Sequence, residues 1–531
     1  MLQAESLIGR PLLAWLFLFV ATAMPVAAQP AYDVLIRNGR VLDGSGNPWF
    51  YADVAILGAR IAAVGDLAKA EADTVIDATG IYVAPGFVDV HSHAAAGLAT
   101  PELSHARPLL AQGITTVFVN PDGGGAVDLP KQRAELEKDG LGVNVAQFVP
   151  HGAVRDTVLG MADRTPTGEE LARMKGFVEA GMEAGAFGLS SGPFYAPGSF
   201  AETDELVALA KVAARYGGVY QSHIRDESNY SVGLVVAVDE VIRVAREADL
   251  PGIVTHIKAL GPPVWGFSTA IVRRIERARQ EGIEVYADQY PYEASATGLA
   301  SALLPRWAQA GGRDSLLSRI GDPDVRPRVL DAMAENLARR GGAERIQIRT
   351  YEPDTTIQGK TLAWVAGREG KTALETALAL IEGGYAGIVS FNMDAADVQT
   401  FMQQPWTMTC SDGGLVPMGQ GVPHPRNYGT FPRKIRTYVL EEHAIDLAAA
   451  IRSMTYLPAS VMGLPDRGLL RSGTVADIVV FDLEQIQDRA TFGEPHQLSE
   501  GIIHVFVGGR LALQDGRFTD VRNGRVLGRS Q

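Results

Sequence analysis

The chain has 531 residues, 46% of them apolar and 21% charged, which suffices for a large buried core and excludes a disordered chain. A formal net charge of -13 argues against a nucleic-acid partner, which needs a basic face. A single cysteine, Cys410, excludes an internal disulfide.

The N-terminus carries the first signal. Met1 to Arg10 is polar with one arginine, and PLLAWLFLFVATAMPVAA follows from Pro11 without a charge. Val26-Ala27-Ala28 then offers small residues for cleavage ahead of Gln29. This is the pattern of a secretory signal over residues 1–28. The run is nearly long enough to span a bilayer, so a retained anchor is the alternative. The small-residue site favours cleavage, and no nearby cysteine offers a lipid anchor. The expectation is a chain exported to the periplasm, with no stable membrane anchor afterwards.

From Tyr32 the pattern is short strands and turns, as in YDVLIRNGRVLDGSG and ADVAILGARIAAVG. The far end reads alike, as in GTVADIVVFDL and IIHVFVGGRLALQDGRF. Residues 29–85 and 467–531 are therefore expected to pair into one small β-sandwich. Between them, over 86–466, strands alternate with helices. The strands are GFVDVHSH, ITTVFVN, NVAQFVPH, AFGLSSG, GVYQSHI, GIVTHI, VYADQYPY and TMTCSD. Eight such strands predict an α/β fold of the (β/α)8 barrel type, with a doubly wound parallel sheet as the alternative. A stretch over about 301–392, before the last strand, reads as an inserted subdomain or lid.

Metal-capable residues gather at the strand ends, where barrel chemistry occurs. His91 and His93 share one face of strand one, because alternate side chains of a strand point the same way. Asp122 follows strand two, His223 ends strand five, His256 ends strand six and Asp412 ends strand eight. Any one of these alone is more often a structural residue, and an Asp before glycines is more often a turn residue. Four of the ten histidines at these ends is the joint pattern that points to a site. His151 ranks behind the six as a supporting residue. His105, His424, His443, His496 and His504 have no such placement, although His424 could reach the mouth from the loop after strand eight. Imidazole and carboxylate donors suit Zn2+, one ion or two, and also other divalent metals. Such an ion polarises a carbonyl and activates water, and Asp412 could carry the proton to a leaving nitrogen.

HSH on strand one, single histidines on strands five and six, and SDG on strand eight resemble the amidohydrolase superfamily. PHGAVRDTVLGM, FGLSSGPFYAPGSFAET, YQSHIRDES, THIKALGPPVWG, ADQYPYEASATGL, PWTMTCSDGG and HPRNYGTFPR narrow the resemblance to the N-acyl-D-amino-acid deacylase (D-aminoacylase) family. It runs from about Tyr32 to Val526. It implies cleavage of the amide of small-molecule N-acyl-D-amino acids by metal-activated water. It implies that His223 and His256 hold the tighter metal, that His91 and His93 help form a weaker site, and that Asp412 is the catalytic base and acid. It further implies that Tyr195, Lys258, Tyr290, Ser295 and Met393 line the substrate pocket, with Lys258 meeting the substrate carboxylate.

Two departures from the family stand out. The family commonly places a cysteine after strand two, where this chain has Asp122, a harder donor than a thiolate. It usually places acidic residues after HSH, where this chain has Ala94-Ala95-Ala96-Gly97. Dipeptides, N-acyl-L-amino acids and cyclic amides are the alternative substrates. A binding protein on an inactive barrel is the reading from another class.

Overall fold

The computed structural model describes residues 32–529; the expected signal peptide lies outside them. Eight parallel strands form the barrel: Phe87–Asp89, Ile114–Val119, Asn144–Gln147, Gly188–Ser191, Val219–Ser222, Gly252–Val254, Val285–Gln289 and Thr407–Thr409. The third continues after Phe148 as Val149–Pro150, which pairs with the fourth. The eighth closes on the first through its extension, where Gly413 pairs with Ser92 and the Asp412 amide donates to the His91 carbonyl at 2.9 Å. Beneath that seam the buried Asp89 accepts from the Ser411 amide at 2.8 Å and from the Ser411 hydroxyl.

These strands are covered on both faces, so they read as apolar runs and not as alternation. ITTVFV of Ile114–Val119 is buried at all six positions. Phe118, Phe148, Phe187, Val219, Ile253, Met408 and Cys410 belong to one buried cluster spanning several barrel strands. Cys410 is a buried free thiol there, not a site residue. Outside the strands, helices lay down apolar stripes at helical spacing. Ser268–Gln280 buries Ile271, Val272, Ile275 and Ala278, and Leu234–Ala248 buries Val238, Val241, Ile242 and Ala245.

Both chain ends meet in one nine-stranded sheet, in which Tyr82–Pro85 pairs antiparallel with Ile478–Phe481. The sheet branches at Tyr32–Val41. Its first half pairs with Ala72–Asp77 and its last residues with Tyr82–Pro85. The branch encloses a core shared by both ends, including Ile36, Val54, Ile56, Ile478 and Phe506.

The insertion starts earlier than the sequence suggests. Ser295–Gly298 is already a strand of its three-stranded sheet, paired with Ala386–Ser390, which also pairs with Ile346–Tyr351. The short SATG segment lacks the apolar alternation that marks a strand, so its pairing is decided by its partner. The helix Arg326–Arg339 packs on this sheet in a core of its own.

Candidate active site

All six metal-capable residues converge at the C-terminal ends of the strands. His91, His93, Asp122 and Asp412 form one group and Asp122, His223 and His256 a second, each with its ligand atoms within 4.8 Å of one another. Asp122 belongs to both. Its Oδ1 lies 3.4 Å from His91 Nε2, 3.3 Å from His256 Nε2 and 3.7 Å from His223 Nδ1, and its Oδ2 lies 3.3 Å from His93 Nε2. Asp412 Oδ1 lies 3.2 Å from His93 Nε2 and 3.6 Å from His91 Nε2. Asp122, His256 and Asp412 all adopt positive φ, of 56°, 36° and 48°. Non-glycine residues hold that conformation only where the surroundings impose it, and such strain gathers at functional sites.

Outer contacts orient the imidazoles. Asp288 Oδ2 accepts the Thr255 hydroxyl at 2.6 Å, and Thr255 Oγ1 lies 2.8 Å from His91 Nδ1. The hydroxyl has one proton and gives it to the carboxylate, so His91 Nδ1 is the donor and its Nε2 keeps a free lone pair. That Nε2 is buried without a hydrogen-bond partner, as is His223 Nε2. Asp288 Oδ1 also accepts the His256 amide at 2.6 Å. On the far side of His256, its Nδ1 lies 3.1 Å from Glu227 Oε1 and 2.6 Å from Lys258 Nζ.

The electrostatics are those of a cation site. Asp412 and Glu227 are buried and Asp122 is half-buried. Burial opposes their charge, yet Arg426 holds Asp412, and Lys258 holds Glu227, well below the usual carboxylate range. Partial loss of water disfavours charge on His93, whose side chain is 43% exposed, but the two aspartates raise its pKa to about 9. His223, where burial dominates, falls to about 3 and stays neutral. A field that draws protons onto imidazoles also draws a divalent cation.

A cavity of about 850 Å³ opens above the cluster. Tyr195, Lys258, Tyr290 and Ser295, the residues that the family resemblance implies for a substrate pocket, line this cavity. Tyr195 packs against His223 with the rings tilted at 56° and their centroids 4.6 Å apart, and its hydroxyl lies 3.2 Å from Thr297 Oγ1. Lys258 Nζ is held by Glu227 Oε1 at 2.5 Å. Met393 does not line the cavity. It packs behind Tyr290, whose hydroxyl lies 3.9 Å from Met393 Sδ, because the Met393 amide is tied to the Glu293 carbonyl at 3.1 Å. His424 does not line it either. Its Nδ1 accepts the Arg426 amide at 3.0 Å and its Nε2 faces the Ala294 carbonyl at 2.9 Å. His151 sits apart, bonded to Glu205 at 2.8 Å. Ala96, from the segment that replaces the family's acidic residues, forms part of the wall beside Leu415 and Val416.

Sequence reasoning missed Glu227, Arg426 and Asp288. Glu227 follows His223 by four residues, which was a usable signal; Arg426 and Asp288 join the site across loops and strands, which spacing does not reveal.

A family model described as Amidohydrolase family matches residues 74–512. The N-acyl-D-glutamate deacylase of Alcaligenes xylosoxydans xylosoxydans is 36% identical over 523 residues, covering 94% of this chain and 97% of the relative. The D-aminoacylase of the same organism is 34% identical over 526 residues, covering 95% and 99%. Among solved structures, an N-acyl-D-glutamate deacylase from Bordetella bronchiseptica, complexed with zinc and a phosphonate inhibitor, matches with a TM-score of 0.79 at 34% identity. That match covers 94% of this chain and all of the other.

Proposed function

The chain belongs to the amidohydrolase family, and we propose that it hydrolyses the amide bond of N-acyl-D-amino acids to a carboxylate and a D-amino acid. The observation that carries this reading is the pair of metal-capable groups sharing Asp122 at the base of one cavity. The donors fit zinc, since they are imidazole nitrogens and carboxylate oxygens, and the buried His91 Nε2 faces Asp122 and Asp412 without a hydrogen-bond partner among the described residues. When bound by His91, His93, Asp122, His223, His256 and Asp412, zinc would supply Lewis acidity towards the acyl carbonyl and lower the pKa of a coordinated water.

The chain's own groups do the rest. Asp412 takes the proton of the attacking water and returns it to the nitrogen as the carbon–nitrogen bond breaks. Arg426, 2.8 Å from Asp412 Oδ2, fixes that carboxylate and keeps it ionised as a base. The Tyr195 hydroxyl stays protonated, because burial raises its pKa, and offers a donor to a substrate oxygen. Lys258 and Ser295 mark the wall that receives the substrate carboxylate. Glu227 and Asp288 hold the imidazoles in place.

The test is amine release by the zinc-loaded protein from matched N-acetyl-D- and N-acetyl-L-amino acids. Preference for the D series sustains the proposal; turnover of the L series alone, or of cyclic amides alone, replaces it. We propose also that the chain is exported after cleavage before Gln29. Cell fractionation and N-terminal sequencing test this, and a cytoplasmic product that keeps residues 1–28 refutes it.

A further inference from the structure

Four cationic side chains line the cavity: Lys258, Arg340, Arg349 and Arg426. Two have carboxylate partners inside the protein, Lys258 with Glu227 and Arg426 with Asp412. The other two come from the insertion, and among the described residues no carboxylate lies within 4.0 Å of either. Arg340 is the more demanding case. It directly follows the helix Arg326–Arg339 and is 1% exposed, one of the largest fully buried side chains. Its Nε has no partner. With the Asn392 amide turned to satisfy both its ends, Asn392 Oδ1 accepts from Arg340 Nη1 at 3.3 Å and from the Ser295 hydroxyl at 3.1 Å. That is one neutral acceptor for a whole guanidinium. Arg349, on the strand Ile346–Tyr351, likewise has a buried Nε without a partner.

A buried guanidinium is costly unless an anion answers it, and an arginine presents a planar fork that fits a carboxylate. The buried Asp226 carboxylate acts on Arg306 and its oxygens accept from the Ser228, Ser231 and Gly233 amides. Arg306 lies near enough for its pKa, lowered mainly by burial to about 10, to be pushed further down by the charge of Arg340. The unanswered charge therefore faces a cavity whose ligand can supply the partner.

Resting on the deacylase reading above, we infer that the preferred substrates carry a second carboxylate on the amino-acid side chain, as N-acyl-D-glutamate and N-acyl-D-aspartate do, and that Arg340 receives that group. The neutral amide of the same shape leaves the guanidinium without its anion. A site built around a buried polar partner rejects such an analogue strongly. The apolar wall of Ala96, Leu415 and Val416 then suits the acyl group.

The experiment compares kcat/KM of the zinc-loaded protein for the N-acetyl forms of D-glutamate and D-aspartate with those of D-glutamine and D-asparagine. We expect an acidic substrate to exceed its amide by about 100-fold or more. In R340M that ratio should shrink at least about tenfold, through a raised KM for the acidic substrate and not a lowered kcat. Should R340M fail to fold, inhibition of the unaltered protein by free D-glutamate and D-glutamine decides, with the glutamate expected to bind more tightly by about tenfold or more. Turnover of neutral D-substrates with no preference for the acidic ones, or equal inhibition by the two products, overturns this inference alone. No turnover of any N-acetyl-D-amino acid overturns the deacylase reading beneath it.

Discussion

Asp412 has two neighbours that pull in one direction: His93 at 3.2 Å from Oδ1 and Arg426 at 2.8 Å from Oδ2. Asp412→Asn keeps the shape and removes the proton carrier. Turnover should fall by about 10³-fold while metal per chain, read by elemental mass spectrometry, stays level. Loss of the metal instead would make Asp412 chiefly a ligand. Asp122→Ala should weaken metal binding more than outer contacts do, by over about 100-fold in a chelator competition. Metal and rate both unchanged would reduce Asp122 to a turn residue. At this scale the sequence revealed much, because each of the six residues sits where a barrel strand ends. It did not reveal that Lys258 is already held by Glu227, nor that Arg426 holds Asp412. Those relations depend on side chains that meet across strands.

At the scale of elements, the loop after strand six and the insertion are locked together. Gly261 has φ of 89°, and a Cβ there would lie 2.0 Å from the Arg339 carbonyl, which is backbone and unable to swing aside. Its amide donates to the Asn392 carbonyl at 2.6 Å. Gly261→Ala should therefore cost about 1–3 kcal/mol in urea unfolding. It should also disturb Arg340, the next residue, so KM for acidic substrates should rise more than for neutral ones. A variant as stable as the parent would mean that the loop and helix part easily. The helices of the insertion were readable from their apolar spacing, as in PRVLDAMAENLARR. Its edge strand Ser295–Gly298 was not, since pairing with Ala386–Ser390 and not its own pattern makes it a strand.

At the scale of the whole molecule, stability should depend on pH through Lys434. Its ammonium is buried, with Thr409 Oγ1 and Ser453 Oγ each at 2.9 Å and, among the described residues, no carboxylate within 4.0 Å. Burial pushes its pKa from 10.5 down to about 7. Between those values the unfolded chain holds a proton that the folded chain lacks, so this group makes stability rise with pH. Its penalty is fully present below about pH 7. Lys434→Met removes it, and the two hydroxyls, 3.0 Å apart, can still bond each other. The variant's advantage in urea midpoint should be largest at pH 6 and fade towards pH 10. A difference independent of pH would show that Lys434 does not titrate in the folded chain.

Periodicity and strand-end placement, both local properties of the sequence, determined the barrel, the pairing of the two chain ends and the six residues of the candidate metal site. A residue's partner across the molecule is not a local property. Which carboxylate neutralises which cation, that Met393 and His424 stand behind the cavity wall, and that Arg340 reaches the cavity with no anion to answer it, were decided only when the insertion folded over the barrel mouth and closed one environment around side chains far apart in the chain.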